Sequence, residues 1–69
     1  MTTNNNQYTQ FQCIKFLADG KHIDAVEDCE TAKEAIERAE KWRAVGHIAM
    51  ACLTVVDTKA MEVYNYPLD

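Results

Sequence analysis

Residues 31–43, TAKEAIERAEKWR, decide the fold, because they predict the one convincing helix of the chain. Thr31 and Glu34 form a capping box, in which the hydroxyl and the carboxylate each satisfy a backbone N–H at the start of a helix. Apolar side chains recur at helical spacing along one face, which consists of Ala32, Ala35, Ile36, Ala39 and Trp42. We expect Gly46 to end the helix, and we expect its alanine-rich face to lie close to a sheet.

A hairpin is predicted before the helix. Residues 11–18 are mostly β-formers, and the Asp19-Gly20 that follows is typical of a tight two-residue turn. The register of that turn pairs Phe16 with Ile23 and Ile14 with Ala25 on one face, and Leu17 with His22, Lys15 with Asp24 and Cys13 with Val26 on the other.

A second hairpin is predicted after the helix. Residues 47–56 are rich in apolar side chains and indicate a central strand, residues 61–66 indicate its partner, and Pro67 should end the pairing. A two-residue loop at Thr58-Lys59 pairs Val56 with Met61 and Thr54 with Val63 beneath the helix, and Leu53 with Tyr64 and Ala51 with Tyr66 on the other face.

The order of these elements predicts a two-layer α+β fold. We expect a four-stranded antiparallel sheet of ββαββ connectivity and strand order 2-1-3-4, with one helix on one face. Residues 1–9 are predicted to be a flexible tail and residues 10–69 a single domain. The predicted helix-side core is Ile14, Phe16, Ile23, Ala25, Ala35, Ile36, Ala39, Trp42, Ile48, Met50, Cys52, Val56, Met61 and Val63. The predicted open face presents Phe11, Cys13, Leu17, Val26, Leu53, Val55, Tyr64 and Tyr66, interrupted by Lys15, His22, Asp24 and Glu62.

Charge and composition limit the function classes. The 69 residues carry a net charge of −4, which disfavours binding to a nucleic-acid backbone. No apolar run approaches the roughly 20 residues that cross a bilayer, and the chain start lacks the pattern of a secretory signal. Three widely spaced cysteines suit reduced thiols better than a disulfide framework. These features predict a cytoplasmic protein with no membrane or direct nucleic-acid partner.

Catalytic motifs are weak. His22 and His47 lie in no metal-ligand spacing, and Glu27 and Asp28 would point to opposite faces of a strand. The only glycines are Gly20 and Gly46, each explained by a turn or a helix end, so there is no phosphate-binding loop. We therefore predict no enzymatic activity, no cofactor and no metal site.

Two binding hypotheses follow, because one helix covers only one side of a sheet and leaves the apolar strands exposed on the other. The chain forms a homodimer through the open face or edge to edge through strand two or four, or it docks on a larger protein through the open face while an acidic rim steers it to a basic surface. The two hypotheses do not exclude each other. Two alternatives stay open: the acids only solvate the helix, or the tail around Tyr8 covers the aromatic side chains. The predicted partner-binding residues are Asp24, Glu27, Glu30, Glu34, Glu37, Leu53, Tyr64 and Tyr66.

The folded part, roughly Phe11 to Tyr66, resembles phage-encoded inhibitors of bacterial defence, especially anti-CRISPR proteins. The likeness is in length, acidity, the lack of a catalytic motif and the small sheet-plus-helix plan. Many such proteins block basic nucleic-acid channels. The resemblance implies a non-enzymatic inhibitor whose partner is a basic, nucleic-acid-handling effector complex.

Overall fold

The computed structural model of the protein describes residues 7–68. Within these residues the elements are β1 (Gln7–Phe16), β2 (Ile23–Cys29), α1 (Ala32–Ala44), β3 (Ile48–Asp57) and β4 (Glu62–Pro67). All strand pairs are antiparallel, in the spatial order β2-β1-β3-β4, and α1 packs on one face of the sheet. The predicted two-layer α+β fold and its strand order are confirmed.

The first strand begins earlier than predicted. Tyr8 pairs with Val56 and Thr9 with Val55, so residues 7–9 belong to β1 rather than to a flexible tail. The prediction missed this because the start of β1 is polar, and its strand character comes from pairing with the apolar β3. Residues 1–6 of the predicted tail and Asp69 of the predicted domain lie outside the described residues.

Both ends of α1 carry the expected caps. The Thr31 hydroxyl accepts a hydrogen bond from the Glu34 N–H at 3.1 Å, while the Glu34 carboxylate accepts one from the N–H of Glu30 at 3.3 Å. Gly46, with a φ of 95°, donates to the Arg43 carbonyl, and the following N–H of His47 donates to Trp42. These two bonds form a Schellman motif, which confirms Gly46 as the stop signal.

The first hairpin has a wider turn than the two residues predicted. Phe16 pairs with Ile23 as expected, and the Leu17 N–H still donates to the His22 carbonyl at 2.8 Å. A bulge between Lys15 and Phe16 then shifts the register by one residue. The pairs Ile14–Ala25, Lys15–Asp24 and Cys13–Val26 are therefore wrong. The observed pairs are Ile14–Val26, Lys15–Ala25 and Cys13–Glu27.

The second hairpin is shifted by two residues. Asp57 pairs with Glu62, so the loop contains residues 58–61 instead of Thr58-Lys59 alone. The Asp57 carboxylate accepts hydrogen bonds from the N–H groups of Lys59 and Ala60 at 3.1 and 3.0 Å, and Met61 closes the loop with a φ of 56°. The four predicted pairs are replaced by Val56–Val63, Val55–Tyr64, Thr54–Asn65 and Leu53–Tyr66.

The predicted assignment of the two faces is wrong on all the strands except at Ala25, which lies on the helix side, and Val26, which lies on the open face. The helix covers the face of β1 that carries Phe11, Cys13 and Lys15, and the core lies between this face and the alanine stripe of α1. The buried residues of this core are Cys13, Cys29, Ala35, Ala39, Ala49 and Ala51, with Phe11, Ile36, Trp42 and Leu68 packed against them.

Small side chains on both layers explain why α1 packs on this face of the sheet. Ala35 and Ala39 of α1 meet Cys13, Ala49 and Ala51 of the sheet, and all five have at most 7% of their surface exposed. Small residues on both sides allow α1 to approach the sheet closely and to exclude water. The bulkier Ile14, Phe16 and Met50 consequently lie on the face without a helix.

Candidate binding surfaces

The face of the sheet opposite α1 carries a two-row array of apolar side chains, which we call the open patch. Register places Val26, Ile14 and Met50 in one row across β2, β1 and β3, and Ile23, Phe16 and Ile48 in the next. Ile23, Val26 and Ile48 are 55%, 45% and 45% exposed. No element among residues 7–68 packs over this array, but neighbouring side chains leave Ile14 only 4% exposed. The uncovered apolar surface therefore consists of Ile23, Val26 and Ile48, with Phe16 and Met50 half-buried between them.

A row of polar side chains borders the open patch and crosses all four described strands. The Gln12 amide donates to Asp28 at 2.8 Å, and the Thr54 hydroxyl lies 2.8 Å from the side-chain oxygens of both Gln12 and Asn65. A hydroxyl has one proton and amide oxygens only accept, so the Thr54 hydroxyl donates to one of these two oxygens at a time. Cys52 is fully buried beneath this row, with its sulfur 3.5 Å from the Thr54 hydroxyl.

The predicted aromatic contact residues lie on the helix side of the sheet, beyond the N-terminal end of α1. Leu53 pairs with Tyr66 and Val55 with Tyr64 on this face, and the two tyrosine rings are 6.3 Å apart. Both tyrosines are exposed. The Tyr64 hydroxyl donates to the Glu62 carboxylate, which raises the pKa of Tyr64. The predicted exposure is therefore correct, but its assignment to the face opposite the helix is wrong.

Two of the five predicted acidic residues are compensated within the chain. Asp24 lies 3.4 Å from the Lys15 ammonium, and Glu27 forms an ion pair with Arg38 of α1. The Glu34 carboxylate accepts from the backbone of Glu30 at the helix start. Among the predicted acids, ion pairing within the described residues thus reduces the charge available at Asp24 and Glu27.

The acidic residues and the open patch do not form one surface. Glu34 and Glu37 lie on α1, which covers the face of the sheet opposite the open patch. Asp24 and Asp28 lie on β2 at the edge of the sheet. Of the predicted residues, the structure brings Glu30 and Leu53 together in one groove, which also contains Phe11 and Thr9. Register then places Tyr66 beside Leu53.

The His22 and cysteine side chains have local structural roles. His22 contacts the Asp19 carboxylate in the first turn, and the pKa of Asp19 is lowered chiefly by the backbone N–H of His22. Cys13, Cys29 and Cys52 are free, buried thiols, and burial raises the pKa of Cys13 and Cys29. Residues 7–68 contain no group of three side chains suited to holding a metal ion.

Comparison of the chain with models of protein families, with curated proteins and with solved structures gives no match. The helix described in residues 7–68, α1, is too short and too polar to cross a bilayer.

Sequence reasoning missed two groups of residues that shape these surfaces. The first is the polar row of Gln12, Thr54 and Asn65, whose shared face becomes visible only with the correct register. The second is the start of β1 around Thr9, which lies in the segment that the sequence predicts to be a tail. The alternation of Gln and apolar residues in QYTQFQCI was the available signal that this segment is a strand.

Proposed function

We propose that this protein is a non-enzymatic binding protein that docks on another protein through the open patch. The observation that carries the proposal is the exposure of Ile23, Val26 and Ile48, which surround the buried Ile14 and the half-buried Phe16 and Met50. An exposed apolar array of this kind lowers the solubility of a protein unless a partner covers it. Apolar side chains at the centre of an interface also supply much of the affinity in protein complexes.

The proposed target is a nucleic-acid-handling complex of bacterial defence, with the chain acting as an inhibitor. The net charge of −4 supports this class, because an acidic protein is steered toward the basic surfaces of such complexes. Asp28, in the polar row that borders the open patch, would lie near the contact, whereas Glu37 on α1 acts only at longer range and Asp24 is paired with Lys15. In this arrangement the open patch supplies the affinity of the complex, and the acidic residues increase its association rate.

The experiment is an inhibition assay against a panel of purified RNA-guided nucleases. The wild-type chain is expected to inhibit DNA cleavage by at least one of them, and the double variant I23S/V26S is expected to inhibit at least about tenfold less. Val45→Ser is the matched control, because Val45 is 72% exposed and lies at the end of α1, away from the patch. Inhibition that is equally weakened by the control, or that survives I23S/V26S, contradicts docking through the patch.

Self-association is a second candidate function, and the lack of charge within the open patch favours it. Two copies could bury their patches against each other without burying an unpaired charge. Light scattering coupled to size-exclusion chromatography would then give a doubled mass at micromolar concentration for wild type and for Val45→Ser, but a monomer for I23S/V26S. A wild-type monomer at these concentrations contradicts this candidate and leaves the patch available to a different protein.

The proposed location is the cytoplasm. Cys13, Cys29 and Cys52 are free thiols in buried positions, which suits a reducing compartment. The test is the mass of the protein isolated from cells under thiol-blocking conditions, which should include three blocked thiols after denaturation. Oxidised cysteines in that sample would contradict the assignment.

A further inference from the structure

One side of β1 lacks a strand neighbour over its first four residues. The pairing of β2 with β1 extends from Phe16 only to Phe11, which lies opposite Cys29 at the end of β2. Residues 7–10 of β1 continue to pair with β3 on the other side. Among residues 7–68, no strand pairs with residues 7–10 of β1 on the side where β2 would continue. These four residues therefore form an open edge of the sheet.

The backbone groups at this edge can be assigned to individual residues. The Ala51 carbonyl accepts from the Leu68 N–H at 2.9 Å, so residue 51 of β3 directs its backbone groups toward β4 and away from β1. Its β1 partner Cys13 therefore directs its own groups toward β2, as does every second residue of β1. The hydrogen bond from the Leu17 N–H to His22 agrees with this alternation. The N–H and C=O groups of Thr9 and Gln7 consequently face the open edge.

A groove of about 570 Å³ runs beside this edge. Phe11 and Leu53 supply apolar side chains to it, and Cys29 and Glu30 form its wall where β2 ends and the chain turns into α1. The residues that line the groove are Thr9, Gln10, Phe11, Asp28, Cys29, Glu30 and Leu53. Two of these seven are acidic and none is basic, so the groove and the backbone edge together favour a partner with positive charge.

We propose that the open edge of β1 binds an extended, lysine- or arginine-rich segment of another protein as an added strand in line with β2. The backbone groups of Thr9 and Gln7 supply the hydrogen bonds, and alternate side chains of the segment enter the groove beside Phe11. Residues 7–10 span about 14 Å, which accommodates four or five residues of an extended segment. This inference does not depend on the apolar residues of the open patch, although Asp28 belongs both to the groove lining and to the polar row that borders the patch.

A second copy of the chain is a poorer occupant than a basic segment. Neither residues 7–14, QYTQFQCI, nor the edge strands β2 and β4 carry a positive charge to place against Asp28 and Glu30. The whole chain carries a net charge of −4, so copies repel each other as they approach. Charge complementarity therefore selects a basic segment of a different protein.

The test is a titration of the isotopically labelled protein with a capped hexapeptide of alternating lysine and valine, followed by NMR. Amide shifts are expected at residues 7–11 and 28–30, together with slower hydrogen exchange at Thr9, whose N–H becomes bonded to the peptide. Raising the salt concentration from about 50 to 500 mM should weaken binding, because the charges lie near the surface. A hexapeptide of alternating glutamate and valine should produce no shifts. Shifts largest on α1, or unchanged exchange at Thr9, overturn the proposal.

Variants separate the backbone edge from the charge. Thr9→Pro removes the N–H that faces the edge, and a proline is tolerated there because that N–H has no strand partner among the described residues. Thr9→Pro should lower the affinity for the lysine–valine peptide at least about tenfold. Thr9→Ala keeps the backbone N–H and should bind the peptide with wild-type affinity. Glu30→Gln should weaken binding by about two- to fivefold and the equally charged change Glu40→Gln on α1 should not.

Equal binding by Thr9→Pro and Thr9→Ala overturns the added strand, provided that both variants give the wild-type far-ultraviolet circular dichroism spectrum. If Thr9→Pro fails to fold, the test is the hydrogen exchange rate of the Thr9 N–H in the wild-type protein. A rate that does not change when the peptide is added also overturns the added strand. A dimer of the protein that forms through residues 7–10 would be detected as a doubled mass without peptide, and it would overturn the choice of a basic segment as occupant.

Discussion

The Lys15 ammonium lies 5.2 Å from the centre of the Trp42 ring and 3.4 Å from the Asp24 carboxylate. Lys15 is on the helix-covered face of β1, and its side chain is only 21% exposed. The ammonium itself lies over the aromatic ring, and the low exposure of the side chain shows that its aliphatic stem is largely buried. This contact fixes the C-terminal end of α1 over the sheet, and it explains how a lysine occurs on the face that forms the core.

Replacing Lys15 with alanine should lower the free energy of unfolding by about 1–2 kcal/mol, because the cation–π contact and the packing of the stem are both lost. Lys15→Met keeps the apolar stem without the charge and should lose less. Urea denaturation followed by the fluorescence of Trp42 measures both variants. If methionine destabilises as much as alanine, the stem contributes little and the charge dominates.

The close approach of α1 to the sheet gives a second prediction. Ala39 is fully buried, so Ala39→Leu has no room for three additional carbon atoms and should cost about 1–3 kcal/mol. Ala44→Leu places the same side chain at the exposed end of α1 and should change the free energy of unfolding by less than about 0.5 kcal/mol. Urea denaturation of the pair gives the comparison. Similar values for the two variants would show that the layers are not closely packed.

The turns that contain Asp19 and Asp57 should each make a contribution to the free energy of unfolding that is lost in acid. Backbone N–H groups, chiefly that of Ala60, lower the pKa of Asp57, and the N–H of His22 is the largest of several contributions that lower that of Asp19. A carboxyl whose pKa is lower in the folded chain stabilises it above the unfolded pKa of about 3.9. That contribution is lost as the pH falls through the lower, folded value.

Asp57→Asn and Asp19→Asn should therefore reduce the drop in Tm between about pH 6 and pH 3, because neither asparagine titrates. Asparagine keeps an oxygen that can accept the turn hydrogen bonds, so the variants are expected to fold. Thermal unfolding at several pH values is the measurement. Glu40→Gln removes a carboxylate outside both turns and serves as the control. Identical pH profiles for wild type and both Asn variants would contradict the prediction.

The fold could be predicted from the sequence because its local signals agree with each other. The capping box at Thr31, the glycine at position 46 and the Asp19-Gly20 turn each mark an element boundary. The faces could not be predicted by ranking hydrophobicity, since Ile14 and Phe16 are more apolar than Cys13 and Lys15. Close packing against an alanine-rich helix selects small residues instead, and Ala49 and Ala51 were the available indication.

The candidate surfaces were predicted in composition but not in position. Tyr64 and Tyr66 are exposed as predicted, but they lie on the helix side of the sheet and not on the open face from which their exposure was inferred. The bulge at Lys15 and the four-residue loop after Asp57 depend on tertiary packing. The exact cross-strand pairs could therefore not be predicted from the sequence. For the same reason Asp24 and Glu27 looked available to a partner, although Lys15 and Arg38 lie against them.

The three thiols should differ in reactivity because they are covered differently. Cys13 and Cys29 lie in the core under α1, whereas Cys52 is covered on the opposite face by the side chains around Thr54 and Asn65. Side chains at a surface move more readily than a packed layer, so Cys52 should react first with N-ethylmaleimide. Peptide mapping by mass spectrometry after short pulses would resolve the three sites.

Asn65→Ala sharpens this prediction, since it removes the amide 4.0 Å from the Cys52 sulfur without touching the helix layer. It should accelerate labelling of Cys52 several-fold and leave the rates at Cys13 and Cys29 unchanged. The control is Tyr64→Ala, which truncates the neighbouring residue of β4 on the helix-side face. Equal acceleration at all three cysteines would indicate global unfolding instead of local opening of the polar row, and it would contradict the proposed cover over Cys52.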